Sequence, residues 1–458
     1  MQIRNYLQSI EFLNSFTDYE KESKVKYTRD AYDLDRIAAL CKRLGNPQDK
    51  YPKIHITGTK GKGSTAIILH DILKHAGYKT GLYTSPHLVK INERIVVNGR
   101  PISDKDFAQT LESIRPAVMM FGRKSSPPTF FEILTAMAFS YFAKQNIDTA
   151  VIEVGMGGRL DTTNIIKPIL SIITNVDYDH TDKLGKTIPK IAFEKAGIIK
   201  AGIPAITSET KPVALKVIDD FARLKRAPLL RTGKDFYLRD VKSIFGAGRT
   251  GSEFTVETLD SLHEKLFIPA LGTHQAMNAA TAVCAVDILT RKYGFSITDN
   301  EIRTALKNVR LPGRAQIISH SPLAILDASH NPVSMRALKE AIRPVTEKRK
   351  VILILGIARD KDVRKVLSTI LPVANVVIFT KSQSPRACEP KELRRLALRI
   401  RPNARYFTTE DVRSAAQMAL AACKRTRNSA LVITGSFYVA GETAGYLNPQ
   451  SLRMNNAK

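Results

Sequence analysis

Short runs of β-branched and aliphatic residues alternate along this chain with stretches whose apolar positions recur every three or four residues. Buried strand-like runs, each followed by an amphipathic helix, predict an α/β architecture with a mainly parallel sheet. The pattern places strands at 53–57, 149–154, 169–175 and 205–207, with helices at 34–45, 64–76, 130–144 and 188–196. From about 229 to 268 the texture changes to short alternating pieces such as E-F-T-V-E-T, which predict antiparallel hairpins, and a helix follows over 274–291. The turn L-P-G-R at 311–314 interrupts the rhythm. Beyond it fresh strands are predicted at 323–327, 350–355, 376–380 and 430–434. The expectation is two α/β domains, 1–310 and a smaller 311–458, with a ligand cleft between them.

Composition narrows the class. With 458 residues, 43% hydrophobic and 25% charged, the chain can build real cores. No apolar run approaches the length of a membrane span, so no membrane partner is expected. The N-terminus M-Q-I-R-N-Y-L-Q-S-I-E-F lacks an apolar signal region, which predicts a cytoplasmic protein. Cys41, Cys284, Cys388 and Cys423 lie far apart, a spacing that gives neither a zinc cage nor a disulfide framework. The net charge of +27 favours anionic ligands. The chain has no tryptophan and no interleaved aromatic platforms, so no nucleic-acid partner is expected.

The candidate chemistry starts at H-I-T-G-T-K-G-K-G-S-T, 55–65, at the end of the first predicted strand. Strand, glycine-rich turn and helix onset together form a phosphate cradle, in which backbone N–H groups and a helix N-terminus face an anion. Gly58, Gly61 and Gly63 relax the loop, Lys62 reaches a β- or γ-phosphate, and Ser64 or Thr65 can cap the helix or offer a hydroxyl to Mg²⁺. The spacing departs from the usual G-x-x-x-x-G-K-[ST]. Glu153, ending the strand T-A-V-I-E-V, is a candidate Mg²⁺ carboxylate; its competing expectation is a structural pair with Arg159. Asp161 ends the same segment. Asp177, Asp179, His180 and Asp182 cluster after another strand, where ligands bind in open α/β sheets, although His180 also fits an ordinary polar loop.

These motifs occur in order with T-S-P-H-L at 84–88, E-R-I at 93–95, F-F-E-I-L-T-A-M-A-F at 130–139 and E-V-G-M-G-G-R-L-D-T-T-N at 153–164. F-E-K-A-G-I-I-K at 193–200, G-T-H-Q-A-M-N-A-A at 272–280, L-P-G-R at 311–314 and D-A-S-H-N-P at 327–332 follow. The chain resembles the folylpolyglutamate synthases and bifunctional dihydrofolate synthases of the Mur ligase superfamily, from about residue 30 to 440. The resemblance implies a Mur-ligase-like α/β fold: a P-loop ATPase domain with a mostly parallel sheet, and a smaller Rossmann-like C-terminal domain that ligates glutamate. It implies ATP-dependent joining of L-glutamate to a folate or dihydropteroate carboxylate through an acyl phosphate. Mg²⁺ would be the cofactor, as two ions, with ATP as co-substrate and K⁺ as an optional further ion; a monomer is the expected state.

Residue by residue, the resemblance implies that Gly58, Thr59, Gly61, Lys62, Gly63, Ser64 and Thr65 bind ATP phosphates. Asn278 matches an adenine-side contact, and Arg314, Asp327 and His330 match C-terminal residues that meet ATP. Ser64, Ser85, Glu153 and His180 match the magnesium shell. Lys195 matches a lysine carbamylated in this family and able to join that shell; a surface lysine beside Glu194 is the plainer expectation from sequence. Lys62, Lys195, His180 and Arg314 are the implied catalytic groups. Thr129, Phe130, Phe131, Glu132, Leu160, Asp161 and Thr162 match the pterin or pteroate wall. Two departures stand out: Lys60 replaces a common asparagine, and D-A-S-H-N-P replaces D-G-A-H-N-P. A Mur ligase acting on a peptidoglycan precursor shares the loop but normally carries a separate N-terminal domain, and only about fifty residues precede the loop here. A P-loop nucleic-acid-binding ATPase would leave the H-Q-x-x-N helix and the D-x-x-H turn unexplained.

Overall fold

The computed structural model describes residues 2–18, 32–121, 127–246 and 249–447. The outer ends of the two expected domains, residue 1 and 448–458, lie outside the described residues. Eight strands build the first sheet: β1 (Lys53–Thr57), β2 (Thr80–Tyr83), β3 (Ile95–Val97), β4 (Arg100–Pro101), β5 (Thr149–Glu153), β6 (Leu170–Ile173), β7 (Ala205–Thr207) and β8 (Leu229–Arg231). Their order is β4-β3-β2-β5-β1-β6-β7-β8, parallel except for the β2-β3-β4 edge. Every residue of β1 and β5 is buried, which is why these strands read as unbroken apolar runs. β1 lies between β5 and β6, so the loops leaving these three strands open side by side at one sheet edge. The chain crosses β1 between β5 and β6, and such switch points are where open α/β sheets bind ligands.

Three antiparallel strands follow, β9 (Tyr237–Gly246), β10 (Arg249–Glu257) and β11 (Leu262–Ile268). The hairpins expected from 229 begin later than that, because Leu229–Arg231 pairs in parallel with β7 as the last strand of the large sheet. The helices Lys62–His75 and Thr273–Tyr293 share one core with the central strands and this small sheet.

The second sheet takes β12 (Gln316–His320), β13 (Leu323–Leu326), β14 (Lys350–Leu355), β15 (Val376–Phe379), β16 (Arg405–Thr408) and β17 (Ser429–Thr434) in the order β12-β13-β17-β14-β15-β16. All pairs but β12-β13 are parallel. Leu311 is buried in the core of the first sheet and Ala315 in the core of the second, so L-P-G-R-A carries the chain across. No helix among the described residues is long and apolar enough to cross a membrane.

Candidate active site

A cleft of about 1190 Å³ runs between the carboxyl edges of the two sheets. The phosphate loop forms one wall. Gly61 precedes the helix Lys62–His75 in the left-handed region at φ +84°, and no side chain caps the helix there. A Cβ on Gly61 would lie 2.3 Å from Asn278 Oδ1, so the left-handed backbone favours glycine and any side chain there demands a shift of Asn278. The loop is stitched to the turn after β6: Thr59 N–H donates to the Asn175 carbonyl (2.8 Å), and Asp177 N–H donates to Thr59 Oγ1 (2.8 Å). Lys60 N–H donates to Asn175 Oδ1 at 2.9 Å. Lys62 Nζ donates to the Gly58 carbonyl at 3.0 Å, folding the ammonium over the loop. The helix N-terminus and Lys62 thus offer donors and positive charge to an anion.

Glu153 ends β5 beside the loop and accepts from Ser85 N–H at 3.1 Å. Burial pushes its carboxyl pKa up, opposed by Lys62, the Ser85 N–H, Arg314 and Arg94. Arg159 does not pair with it; its guanidinium holds Glu194 at 2.8 Å, which removes the structural reading of Glu153. Lys195 is 3% exposed, so the surface-lysine expectation fails as well. Burial, with Lys62 and Lys60 adding to it against Asp179 and Asp161, holds the Lys195 amine well below the ordinary lysine value. Asp179 accepts from Lys60 Nζ at 2.6 Å; burial alone would raise its pKa, but Lys60 and His180 keep it below the usual carboxylate range. His180 opens onto the cleft, where desolvation, joined by Lys361, Lys62 and Lys60, lowers it to about 4 against Asp179.

The cleft brings together Gly58, Thr59, Gly61, Lys62, Gly63 and Ser64 with Ser85, Glu153, His180, Lys195 and Asn278. From the second domain come Arg314, Asp327 and His330. His274 joins Asn278 in the lining from the same helix, as their spacing of four predicts. Thr65 is placed differently from the sequence expectation: it is fully buried behind the loop and does not line the cleft. Asp327 accepts N–H bonds from Ala315 and Ser329, both at 2.8 Å, and so fixes the turn that presents His330. Ser329, a departure from the family motif, is accommodated, donating Oγ to the Ser334 carbonyl at 2.9 Å. Arg314 stacks its guanidinium 4.8 Å from the centre of the Phe437 ring.

Thr129, Phe131, Glu132, Asp161 and Thr162 line a second arm of the cleft. Phe130 and Leu160 are buried outside that lining; Phe130 sits in the core packed by the helix Phe130–Lys144, while Phe131, about a hundred degrees around the helix, packs on the edge of that core and reaches the cleft. Glu132 is held by Arg36 in a two-pronged ion pair, both contacts at 2.7 Å, and it also caps its helix through Thr129 N–H at 2.7 Å. Sequence reasoning missed Arg36, because its partner lies 96 residues away. Asp161 is engaged as well, by Met156 N–H at 2.9 Å and by Thr163.

The residues present fit a magnesium ion in one respect. Among the described residues no group of three or more His, Cys, Asp or Glu forms a ready metal cage. The Glu153 carboxylate and the Ser64 and Ser85 hydroxyls line the same cleft as His180, and so few protein oxygens would suit only an ion that keeps waters and shares phosphate oxygens.

Two α/β sheets, an uncapped glycine loop facing a buried carboxylate and an arginine at the junction describe a nucleotide-dependent enzyme with its cleft between two domains. Residues 56–286 match the Mur ligase middle domain, and residues 313–437 match the Mur ligase glutamate ligase domain. The dihydrofolate synthase/folylpolyglutamate synthase of Bacillus subtilis (strain 168) is 35% identical over 409 residues, 88% of this chain and 92% of its own. The folylpolyglutamate synthase of Lacticaseibacillus casei is 33% identical over 441 residues, covering 95% and 97%. The structure of Mycobacterium tuberculosis folylpolyglutamate synthase complexed with ADP superposes with a TM-score of 0.86 at 32% identity, covering 99% of both chains. The chain belongs to the Mur ligases, in the family of folylpolyglutamate and dihydrofolate synthases.

Proposed function

We propose that this ligase joins L-glutamate to the carboxylate of a folate or of dihydropteroate, using ATP. The observation that carries the reading is the single cleft in which the phosphate loop faces Arg314, Asp327 and His330 across the two domains, with the Thr129–Glu132 arm beside it. In this reading 1–310 holds ATP and the acceptor, and 311–458 completes the site for glutamate. The acceptor carboxylate oxygen attacks the γ-phosphorus as the bond to ADP breaks, giving an acyl phosphate. The neutral amine of glutamate then adds to the acyl carbon, and the tetrahedral intermediate expels inorganic phosphate as the nitrogen loses its proton. The first step brings two anions together, so positive charge must be in place beforehand. Lys62 supplies it from the loop. Arg314, at the chain crossing, supplies it from the opposite side, and its planar fork suits phosphate oxygens. Ser64, Ser85, Glu153 and His180 would hold Mg²⁺, which offsets phosphate charge when bound.

Lys195 deepens the metal shell in this reading: its neutral amine adds to CO₂ and loses a proton, leaving a carbamate anion. Burial among like charges supports the neutral amine that this needs. The reading carries a monomer working in the cytoplasm, where ATP is available. An assay of ADP release with L-glutamate tests it, comparing dihydropteroate with tetrahydrofolate as acceptor. Both are expected to support turnover. ATP binding with no acceptor-dependent ADP release from either would sink the proposal. Lys195→Ala should lose ligation and regain part of it with short carboxylic acids; an equal loss with no rescue removes the carbamate.

A further inference from the structure

The loop from Ser85 to Arg94 joins β2 to β3, and its base is closed by Thr84 N–H donating to the Arg94 carbonyl at 3.1 Å. Its tip is folded by one side chain: the Glu93 carboxylate accepts from Leu88, Val89 and Lys90 N–H at 2.7, 3.0 and 2.7 Å. At the start of this loop Ser85 N–H is bonded to Glu153, inside the first domain's site. Three residues on, Leu88 leaves that domain altogether. It is 8% exposed and buried in the apolar core of the second domain, among Ile318, Leu326, Val439 and Ala444. The fit is close on two sides. A Cβ on Gly441 would stand 2.2 Å from the Leu88 carbonyl oxygen, and one on Gly313 would stand 3.4 Å from Leu88 Cδ1. A second apolar residue crosses the boundary in the same way: Leu271, just before the helix that carries Asn278, is fully buried in the other core of the second domain.

We propose that Leu88 is a positioning residue: an apolar peg that ties the C-terminal domain to the Ser85–Glu153 corner. Through it, occupation of the phosphate loop is transmitted to the helix Phe437–Leu447. The argument is geometric. The Glu93 bonds make the loop a stiff arm, one end bonded to the carboxylate beside the phosphate loop and the other seated in the second core. Packed apolar contacts of this kind hold discrete positions and do not yield continuously. The domains can then align Arg314 and His330 with the loop only when the peg is seated, and a misplacement of about 1 Å at a reacting centre costs on the order of 10²-fold in rate. Leu88 touches neither phosphate nor acceptor in this scheme; it acts through the helix and Ser85.

Hydrogen exchange on the full chain, with and without Mg²⁺ and a non-hydrolysable ATP analogue, tests the peg without relying on the ligase reading. In the wild type the analogue is expected to slow exchange both at 58–65 and at 440–447. In Leu88→Ala the loop protection should persist while the 440–447 protection falls by more than half, and Leu88→Met should restore it. The kinetic arm does rest on the ligase reading: kcat for ADP release should fall about tenfold in Leu88→Ala, within the alignment effect, with the analogue's Kd changed less than about twofold. Gly441→Ala presses on the same arm from the other side and should give the same split, which keeps the test open if Leu88→Ala does not fold. Unchanged coupling of the two protected segments in Leu88→Ala or, where that variant does not fold, in Gly441→Ala would overturn the proposal. So would a kcat loss matched by an equal loss of analogue affinity. A wild type that shows coupled protection but no acceptor-dependent turnover would overturn the ligase reading and leave the peg standing.

Discussion

The cleft is bracketed by two turns of the same kind, each leading from a buried parallel strand into a helix, and they are finished in opposite ways. After β1, the helix Lys62–His75 starts at Gly61 with no side-chain cap. After β13, the helix Pro332–Thr346 starts at Asn331, whose side chain accepts from Ser334 N–H at 2.9 Å in a reciprocal capping box. Asp327 and Ser329 use up further donors and acceptors of that second turn. A helix N-terminus leaves its first N–H groups without intrahelical partners, and these are met by a side chain or by a ligand. The first turn leaves them to a ligand and the second meets them itself. The first can therefore receive phosphate, while the second is a rigid mount that presents His330 and steadies Arg314.

The largest effect should come from removing the charge that the open turn holds. Lys62→Ala is expected to lower ADP formation by about a hundredfold to a thousandfold, the scale for losing a group that stabilises transition-state charge. Its melting temperature should stay close to the wild type, because Lys62 packs in neither core. An ADP-release assay alongside a thermal melt checks both halves. The next variant puts a side chain into the open turn: Gly61→Asn keeps a residue that tolerates the left-handed conformation and adds a polar group beside the free N–H groups. The helix should lose no stability beyond the shift of Asn278 that the new Cβ demands. The Kd for ATP should rise at least about tenfold, roughly 1.4 kcal/mol. Unchanged ATP affinity by titration calorimetry would mean that the open N–H groups are not what receives phosphate.

Both turns were legible in the sequence because everything that defines them is local. G-T-K-G-K-G-S-T and D-A-S-H-N-P each lie within one strand end and one helix start. Strands with both faces buried, such as β1, β5 and β17, showed as apolar runs for the same reason. The short β3 and β4, and the three-residue β8 with its partly exposed side chains, carried no such run and were missed or misread. Contacts distant in sequence left no pattern at all. Arg36 meets Glu132 across 96 residues, and Asn331 Nδ2 donates to Asp179 across 152, at 3.2 Å and between domains. Phe130 and Phe131 were indistinguishable as neighbours; only the helix orientation buries the first in the core and turns the second from the core edge to the cleft.

Each turn also stands beside a neutral histidine. His55 on β1 is fully buried, with Nε2 2.8 Å from Thr163 Oγ1, and burial, with Lys200 adding to it, lowers its pKa to about 3. His330 on the second turn is lowered to about 3 as well, by burial and then by Lys60. An unfolded histidine takes its proton near pH 6.5, about three and a half pH units above these values. Between those limits the unfolded state binds more protons, so stability falls as pH drops below about 6.5 and is fully present above it. Each such group contributes a slope of up to about 1.4 kcal/mol per pH unit. Unfolding free energies from denaturant titrations between pH 7.5 and 5 should show the decline. His55→Gln should flatten it by about one proton's worth, and a slope equal to the wild type would show that His55 charges in the folded state.

The smallest effect separates the turns most cleanly. Asn331→Ala removes the cap of the second helix and the Asn331–Asp179 bond between domains. Loss of an N-cap costs on the order of 1 kcal/mol. Because the cap belongs to the mount and not to the phosphate cradle, the cost should appear in stability while ATP affinity moves less than about twofold, well under the tenfold, 1.4 kcal/mol scale. Lys60 retains Asp179 at 2.6 Å in that variant, so the phosphate loop keeps its own anchor to the turn after β6. Denaturant unfolding and ATP titration on the same preparation measure the two numbers together. A loss of ATP affinity as large as that of Gly61→Asn would mean that the capped turn also binds phosphate and that its closed finish is only apparent.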